Sequence, residues 1–225
     1  MSLIKKKAAI ITGAAKRLGK AIALTFASYG YDIVVHYHNS HNEAAFLKHV
    51  IERLYQKKCL IVRADFNDFY SLKNLVEKAF KVMPYSNVLI NNASIFHRKT
   101  FLETENEDLT CNYNIHVRAP FFLIQYFAKK CQDKGSIVNV IDHGIIKQSS
   151  NYYAYMLTKK SLANLTQMSA FELAPRITVS AICPEFISDD EFLSSSSRDS
   201  TLSKVLRKII DLLDTTGQLY FLCDI

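Results

Sequence analysis

Seven short apolar runs alternate with amphipathic segments from one end of the chain to the other. That alternation constrains the fold more than any other feature. The runs are AAIIT (8–12), DIVVHY (32–37), CLIVRA (59–64), NVLI (87–90), SIVNVI (136–141), ITVSAI (177–182) and QLYFL (218–222). Between them, apolar residues recur at helical spacing near 17–29, 43–56, 70–82, 106–131, 152–174 and 202–214. Strands separated by helices imply βαβ units. Runs this continuously apolar imply strands covered on both faces. The expected fold class is therefore α/β: a doubly wound parallel sheet of about seven strands with helices on both faces, in a single domain over 1–225. Right-handed crossovers place every strand's carboxyl end along one edge, where such sheets bind ligands.

The chain has 225 residues, 49% of them hydrophobic and 22% charged, which suffices for one sizeable core. No apolar run is long enough for a membrane span. The basic opening MSLIKKK precedes a short apolar run and then Lys16 and Arg17, the wrong order for a secretory segment. The five cysteines (59, 111, 131, 183 and 223) are odd in number and form no CxxC. They argue against a disulfide framework and a metal site, and they fit a reducing cytoplasm. The net charge of +7 raises the question of nucleic acid. Apart from KKK at 5–7 the basic residues are scattered, with no aromatic-interleaved basic repeat. A lysine-rich surface is expected, and no nucleic-acid partner. The serine-rich stretch SDDEFLSSSSRDS (188–200) reads as a surface loop. Its place after a strand suits a substrate lid within 185–204.

The first strand runs straight into TGAAKRLGKAIA. Gly13 allows a tight turn, Gly19 lets the helix pack closely on the sheet, and the free amides at the helix start can hold a phosphate. The pattern follows a strand, opens a helix and begins the first βαβ unit, which is the context of a Rossmann-type dinucleotide site. An acid at the end of the second strand would bind ribose hydroxyls, yet none occurs from Ile33 through Ser40. Arg17, His38, Asn39 and Ser40 stand there instead, as hydrogen-bond donors for a ribose phosphate, with Arg17 adding charge. The cofactor expected on these grounds is NADPH.

Tyr155 and Lys159 are four apart at the start of the helix after the fifth strand, so they share a face. Asp142 stands at that strand's carboxyl end. The lysine's charge is expected to favour the tyrosinate and so make the phenol a usable proton donor. The spacing alone is weak evidence in a chain with 12 tyrosines, and Tyr126 with Lys130 repeats it. That copy falls late in a helix, away from the ligand edge.

With these residues in view the chain resembles the short-chain dehydrogenase/reductase family over nearly its whole length. Within the family it is similar to the pteridine and dihydromonapterin reductases. TGAAKRLG resembles that subgroup's form of the TGxxxGxG turn, with Arg17 where the middle glycine usually stands. The resemblance implies cofactor contacts from Gly13, Lys16, Arg17, Leu18 and Gly19, and from His38, Asn39 and Ser40 in HYHNS. It implies that Asp65 holds the adenine amino group, that Asn92, Ala93 and Ser94 of NNAS line the cofactor, and that Tyr155, Lys159 and Pro184 touch it. It further implies a pterin stacked on Phe96, with Arg17, Ser94, Asp142 and Tyr155 as its other contacts. Asp142 replaces the family's usual serine, as in the pterin-reducing subgroup. His116 falls where an asparagine supports a proton-relay water. Ser180 and Glu185 depart from NxxPG after the sixth strand, and the double glycine and tail usual beyond the seventh are missing from TGQLYFLCDI.

The expected activity is NADPH-dependent reduction of a dihydropterin to a tetrahydropterin, with dihydrofolate as a further substrate to be tested. Tyr155, Lys159, Asp142 and His116 are the expected catalytic residues. Two alternatives stay open: an NADPH-dependent reductase of ketones, aldehydes or 3-oxoacyl groups, and a non-catalytic NADPH-binding sensor or scaffold. The resemblance also implies a cytoplasmic homotetramer.

Overall fold

A computed structural model describes residues 6–147, 151–185, 187, 191–192 and 200–222. The first half comprises β1 (Ala8–Ile11), α1 (Arg17–Ser28), β2 (Asp32–Tyr37), α2 (His41–Leu54), β3 (Cys59–Arg63), α3 (Phe69–Val82) and β4 (Ser86–Asn91). The second half continues with α4 (Asn106–Tyr113), a π turn (Asn114–Arg118), α5 (Ala119–Lys130), β5 (Gly135–Val140) and a short 3-10 turn (His143–Ile146). It ends with α6 (Tyr153–Leu173), β6 (Ile177–Cys183), α7 (Thr201–Asp211), a second 3-10 turn (Leu212–Asp214) and β7 (Leu219–Phe221). The strands pair in the order β3-β2-β1-β4-β5-β6-β7, all parallel. This is the expected single Rossmann-type sheet. Among the described residues no helix is long and apolar enough to cross a membrane.

The continuous apolar runs follow from the two layers. Ala9 and Ile11 of β1 face a core shared with Phe26, Leu47 and Val205 from α1, α2 and α7. Ala8 and Ile10 face the other core, with Leu75 of α3 and Phe127 of α5. Successive strand residues point to opposite faces, so both sets must be apolar.

One expectation needs correction. The segment 106–131 is not a single α-helix, because the π turn at Asn114–Arg118 interrupts it and the Ala119 amide donates to the Asn114 carbonyl. The π turn is where His116 becomes buried. Of the expected lid over 185–204, residues 186, 188–190 and 193–199 lie outside the described residues.

A buried histidine ties the first turn to the sheet. The Gly13 amide donates to His36 Nδ1 at 3.0 Å, and Nε2 lies 3.1 Å from the Ala64 carbonyl. These contacts assign a neutral ring protonated at Nε2. The ring stacks on Phe66 at 4.4 Å between centroids. Burial, with a smaller push from His38, lowers the His36 pKa to about 4. An unfolded chain takes up a proton near pH 6.5, whereas the folded ring refuses it until about pH 4. His36 therefore contributes stability that is complete above pH 6.5 and is lost as pH falls toward 4, on the order of 3 kcal/mol in all. Chemical denaturation across that range should show the loss. His36→Gln should lower stability at pH 7 and make the acid-side slope shallower.

Candidate active site

The turn after β1 is closed by contacts with the exit of β4. The Thr12 hydroxyl accepts from the Asn92 and Ala93 amides at 2.9 Å each, and Asn92 Nδ2 donates to the Thr12 carbonyl at 2.8 Å. Gly13 has φ +61°, and a Cβ there would meet Ala93 Cα at 2.9 Å. A Cβ on Gly19 would collide with the Gly13 carbonyl oxygen. Gly13 is thus required by conformation and space, and Gly19 by space alone. Lys16, at the N-cap of α1, makes no side-chain cap, and the first turn holds no acid. The helix therefore presents uncapped amides and a positive dipole end. A cavity of about 930 Å³ adjoins this turn, lined among others by Lys16, Arg17 and Lys20. This donor set fits a phosphate.

Arg17 holds a left-handed backbone with φ 49°. A side chain there is strained. That strain accounts for the glycine usual at this position, and Arg17 occupies it nonetheless. Its guanidinium lies 5.6 Å from the Phe192 ring centroid. Lys16 pairs with Glu43 of α2 at 2.6 Å, and Leu18 packs against the first core.

The exits of β2 and β3 bring together the other expected cofactor residues. His38 Nε2 lies 3.6 Å from Asp65 Oδ2, and Asp65 Oδ1 accepts from the Asn67 amide at 2.9 Å. Asn39 is exposed beside them. Ser40 is the N-cap of α2, but its side chain caps nothing.

The chemical centre forms where β4, β5 and α6 meet. The Tyr155 hydroxyl donates to Asp142 Oδ2 at 2.8 Å, and Asp142 Oδ1 accepts from the Gly144 amide at 2.6 Å. Lys159 is fully buried and its ammonium donates to the Val140 carbonyl at 2.9 Å. Burial lowers the Lys159 pKa to about 8 against the opposing pull of Asp142. The expectation that Lys159 eases ionisation of Tyr155 is corrected here. Burial first, then the charge of Asp142 and the hydrogen bond to it, push the phenol well above its ordinary range. The lysine is turned toward a strand carbonyl, 5.6 Å from the tyrosine ring centroid, while the carboxylate is in contact. Contact outweighs the more distant opposite charge.

Phe96 is half exposed and stands edge-on to Tyr155 at 4.8 Å. One face is covered by Tyr152, stacked at 4.1 Å and 12°. No signal in the sequence marks this pairing of residues 56 positions apart.

His116 meets Ser94 and Thr158. Its Nε2 accepts from the Ile95 amide at 3.3 Å and lies 2.9 Å from Ser94 Oγ, while Nδ1 lies 2.9 Å from Thr158 Oγ1. Because Nε2 accepts, the proton sits on Nδ1 and is donated to Thr158. Thr158 in turn bonds the carbonyls of Ala154 and Tyr155. Burial, then the charge of Lys159, lowers the His116 pKa to about 2, so the ring is neutral. It ties the β4 exit to the helix that carries Tyr155.

The remaining expectations fall into place by position. Pro184 is buried, and its carbonyl accepts from the His143 amide at 2.9 Å. Ser180 is buried and donates to the Thr215 carbonyl at 2.8 Å. Tyr126 packs beside the second core, and Lys130 lines a different cavity with Lys6 and Lys134, near the amino ends of the strands. The second tyrosine–lysine pair is thus remote from this centre.

Comparison with known proteins agrees with this geometry. The short chain dehydrogenase family matches residues 7–200. A dihydromonapterin reductase of Enterobacter sp. (strain 638) is 29% identical over 216 residues, covering 91% of this chain and 87% of that one. An L-2,3-butanediol dehydrogenase of Corynebacterium glutamicum is 32% identical over 209 residues, covering 91% and 80%. The crystal structure of FolM alternative dihydrofolate reductase 1 from Brucella suis, in complex with NADP, superposes with a TM-score of 0.83 at 25% identity. That superposition covers 98% of this chain and 94% of the other. A parallel seven-stranded sheet, a glycine turn opening α1, and a tyrosine and lysine on α6 beside the β5 exit accompany a family match over most of the sequence. The chain belongs to the short-chain dehydrogenase family.

Proposed function

We propose that the protein reduces a dihydropterin to a tetrahydropterin with NADPH. The observation that carries this reading is the Asp142 carboxylate bonded to the Tyr155 hydroxyl at 2.8 Å, with Phe96 edge-on to the same tyrosine. A pterin ring offers an amino group and ring N–H donors that a carboxylate accepts, and a flat face for an aromatic. A dihydromonapterin reductase among the relatives and an NADP complex among the structural neighbours support it.

NADPH, when bound, supplies the hydride that reaches the imine carbon of the ring. The amides at the start of α1 and Arg17 hold its phosphates, with His38, Asn39 and Ser40 at the ribose phosphate and Asp65 at the adenine. Asn92, Ala93, Ser94 and Pro184 line the nicotinamide end. Tyr155 keeps its proton at neutral pH because burial and Asp142 disfavour the phenolate. It donates that proton to the ring nitrogen, which becomes basic as the neighbouring carbon is reduced. Asp142 accepts from the substrate's N–H groups and orients both partners. Lys159 gives one ammonium proton to the Val140 carbonyl and keeps two for the nicotinamide ribose. His116, expected among the catalytic residues, acts here as a positioning residue, packed edge-on against Tyr155 at 5.3 Å and bonded to Thr158 and Ser94.

A carbonyl reductase is the second reading, favoured by the butanediol dehydrogenase relative. Asp142 argues against it. A carboxylate beside a developing alkoxide is repulsive, where a serine would donate.

Three variants test the proposal. Arg17→Gly removes the charge and also relieves the left-handed backbone. NADPH affinity should fall about ten- to a hundredfold while the melting temperature does not drop. Equal wild-type affinity for NADH and NADPH would contradict the cofactor assignment. Tyr155→Phe should reduce dihydropterin turnover by about two to four orders of magnitude with NADPH binding nearly intact. Asp142→Ser should reduce it by about one to two orders and leave simple ketone reduction undiminished. A wild-type enzyme active only on the ketone would give the site to the carbonyl reductase.

A further inference from the structure

Basic residues that lie scattered in the sequence gather in space at the edge of the sheet opposite the candidate active site. A cavity of about 700 Å³ opens there, at the amino ends of β1, β4 and β5. Five lysines from four segments line it: Lys6 and Lys7 ahead of β1, Lys81 in the last turn of α3, Lys130 in the last turn of α5, and Lys134 ahead of β5. The acids on the same lining are Glu77 and Asp133. Among the described residues, Glu77 pairs with Lys73 of its own helix at 3.7 Å, whereas none of the five lysines makes an ion pair. A second cavity of about 550 Å³ shares Lys7, Asn87 and Lys134 with the first and extends it along this edge toward Arg176.

The ordinary role of basic side chains at such an edge is to meet the carbonyl ends of helices. Other residues already fill it. Lys58 Nζ donates to the Val82 carbonyl at the end of α3 at 3.2 Å. At the end of α5, Arg176 donates to the Ala128 carbonyl at 3.0 Å and to the Cys131 carbonyl. Lys81, Lys130 and Lys134 make no such bond among the described residues.

The cavity also has a neutral donor and a fixed wall. Asn87 is the extra residue of a bulge in β4, since Ala8 pairs with Ser86 and Ala9 with Val88. Its Oδ1 is buried without a hydrogen-bond partner among the described residues, so the amide nitrogen is the end offered to the cavities it lines. The Tyr85 hydroxyl donates to Asp32 Oδ2 at 2.6 Å, which anchors its ring. Lys6 Nζ lies 5.8 Å from that ring centroid, and Lys7 Nζ 4.1 Å from the centroid of Tyr31. The rings thus hold two of the ammoniums beside the cavity. Five like charges around one concavity repel one another and raise the potential inside it, and an anion entering relieves both. A single carboxylate cannot reach groups spread over four segments. A compact chain of phosphates can, and an ammonium binds phosphate as a point charge.

We propose that this cavity is a second anion site, which takes a small ligand with two or more linked phosphate groups and binds it independently of NADPH at the other edge of the sheet.

The test is calorimetric titration of tripolyphosphate, and separately of ATP without magnesium, into the NADPH-saturated protein at low ionic strength. One ligand should bind per chain. Lys81→Ala, Lys130→Ala and Lys134→Ala should each weaken binding by about two- to fivefold, and Lys130→Ala with Lys134→Ala together by about tenfold. Lys48→Ala, which removes the same charge from α2, should leave the affinity unchanged. Added salt should weaken wild-type binding. Comparable affinities for the two probes identify the phosphate chain as the group recognised, and tighter binding of ATP identifies a nucleotide; either result supports the site. Failure of both probes to bind the NADPH-loaded protein overturns it. So does equal weakening by Lys48→Ala, which would reduce the effect to diffuse charge. A single-stranded oligoribonucleotide that displaces both probes and binds more tightly than either overturns the assignment to a small ligand.

Discussion

The side chains of the candidate site gather around the strand exits, and buried polar groups that must stay uncharged hold those exits together. Thr12 joins β1 to β4, His36 joins the glycine turn to β3, and His116 joins β4 to α6. Each is nearly inaccessible, and each histidine is kept neutral by burial. A hydrophobic core alone would fix the layers but not the relative height of neighbouring exits to within a hydrogen bond. Directional bonds in a dry setting supply that precision, since leaving any of these groups unpaired costs about 1–3 kcal/mol.

The same principle sets the chemistry. In the usual family arrangement, a lysine near a tyrosine would make the phenol more acidic. Here a carboxylate takes the tyrosine's hydrogen bond and the lysine is committed to a backbone carbonyl. The result is a strongly retained proton beside an acceptor. That combination suits a substrate with basic nitrogen and several N–H donors better than one whose oxygen becomes anionic.

Strand and helix placement was legible because both faces of the sheet are buried: a strand that needs apolar residues at every position announces itself. The glycine turn was legible because close approach leaves no room for a Cβ at Gly13 or Gly19. What could not be read depends on distance. The stack of Tyr152 on Phe96 and the clip of His116 on Ser94 join residues far apart in sequence. The dominance of Asp142 over Lys159 at Tyr155 follows from which group is in contact, which spacing along one helix does not reveal. Arg17 was visible as a missing glycine, but its left-handed backbone required coordinates. The π turn was hidden because its residues have the same pattern as an ordinary helix.

That π turn has a consequence for how the chain tolerates length changes. It places one surplus residue between α4 and α5, bridged by the bond from the Ala119 amide to the Asn114 carbonyl. Taking one residue out of Asn114–Arg118 would let a regular helix run through, with no hydrogen bond lost. The wider turn absorbs the extra residue, about 100° of helical rotation, by underwinding, so α4 and α5 keep the phase of an uninterrupted helix. The apolar stripe of α5 that meets the sheet, Leu123 and Phe127 among it, would therefore stay docked after such a deletion. What the deletion would remove is the bulge of backbone at which His116 is buried, so the segment tolerates shortening in its packing but not in its polar clip.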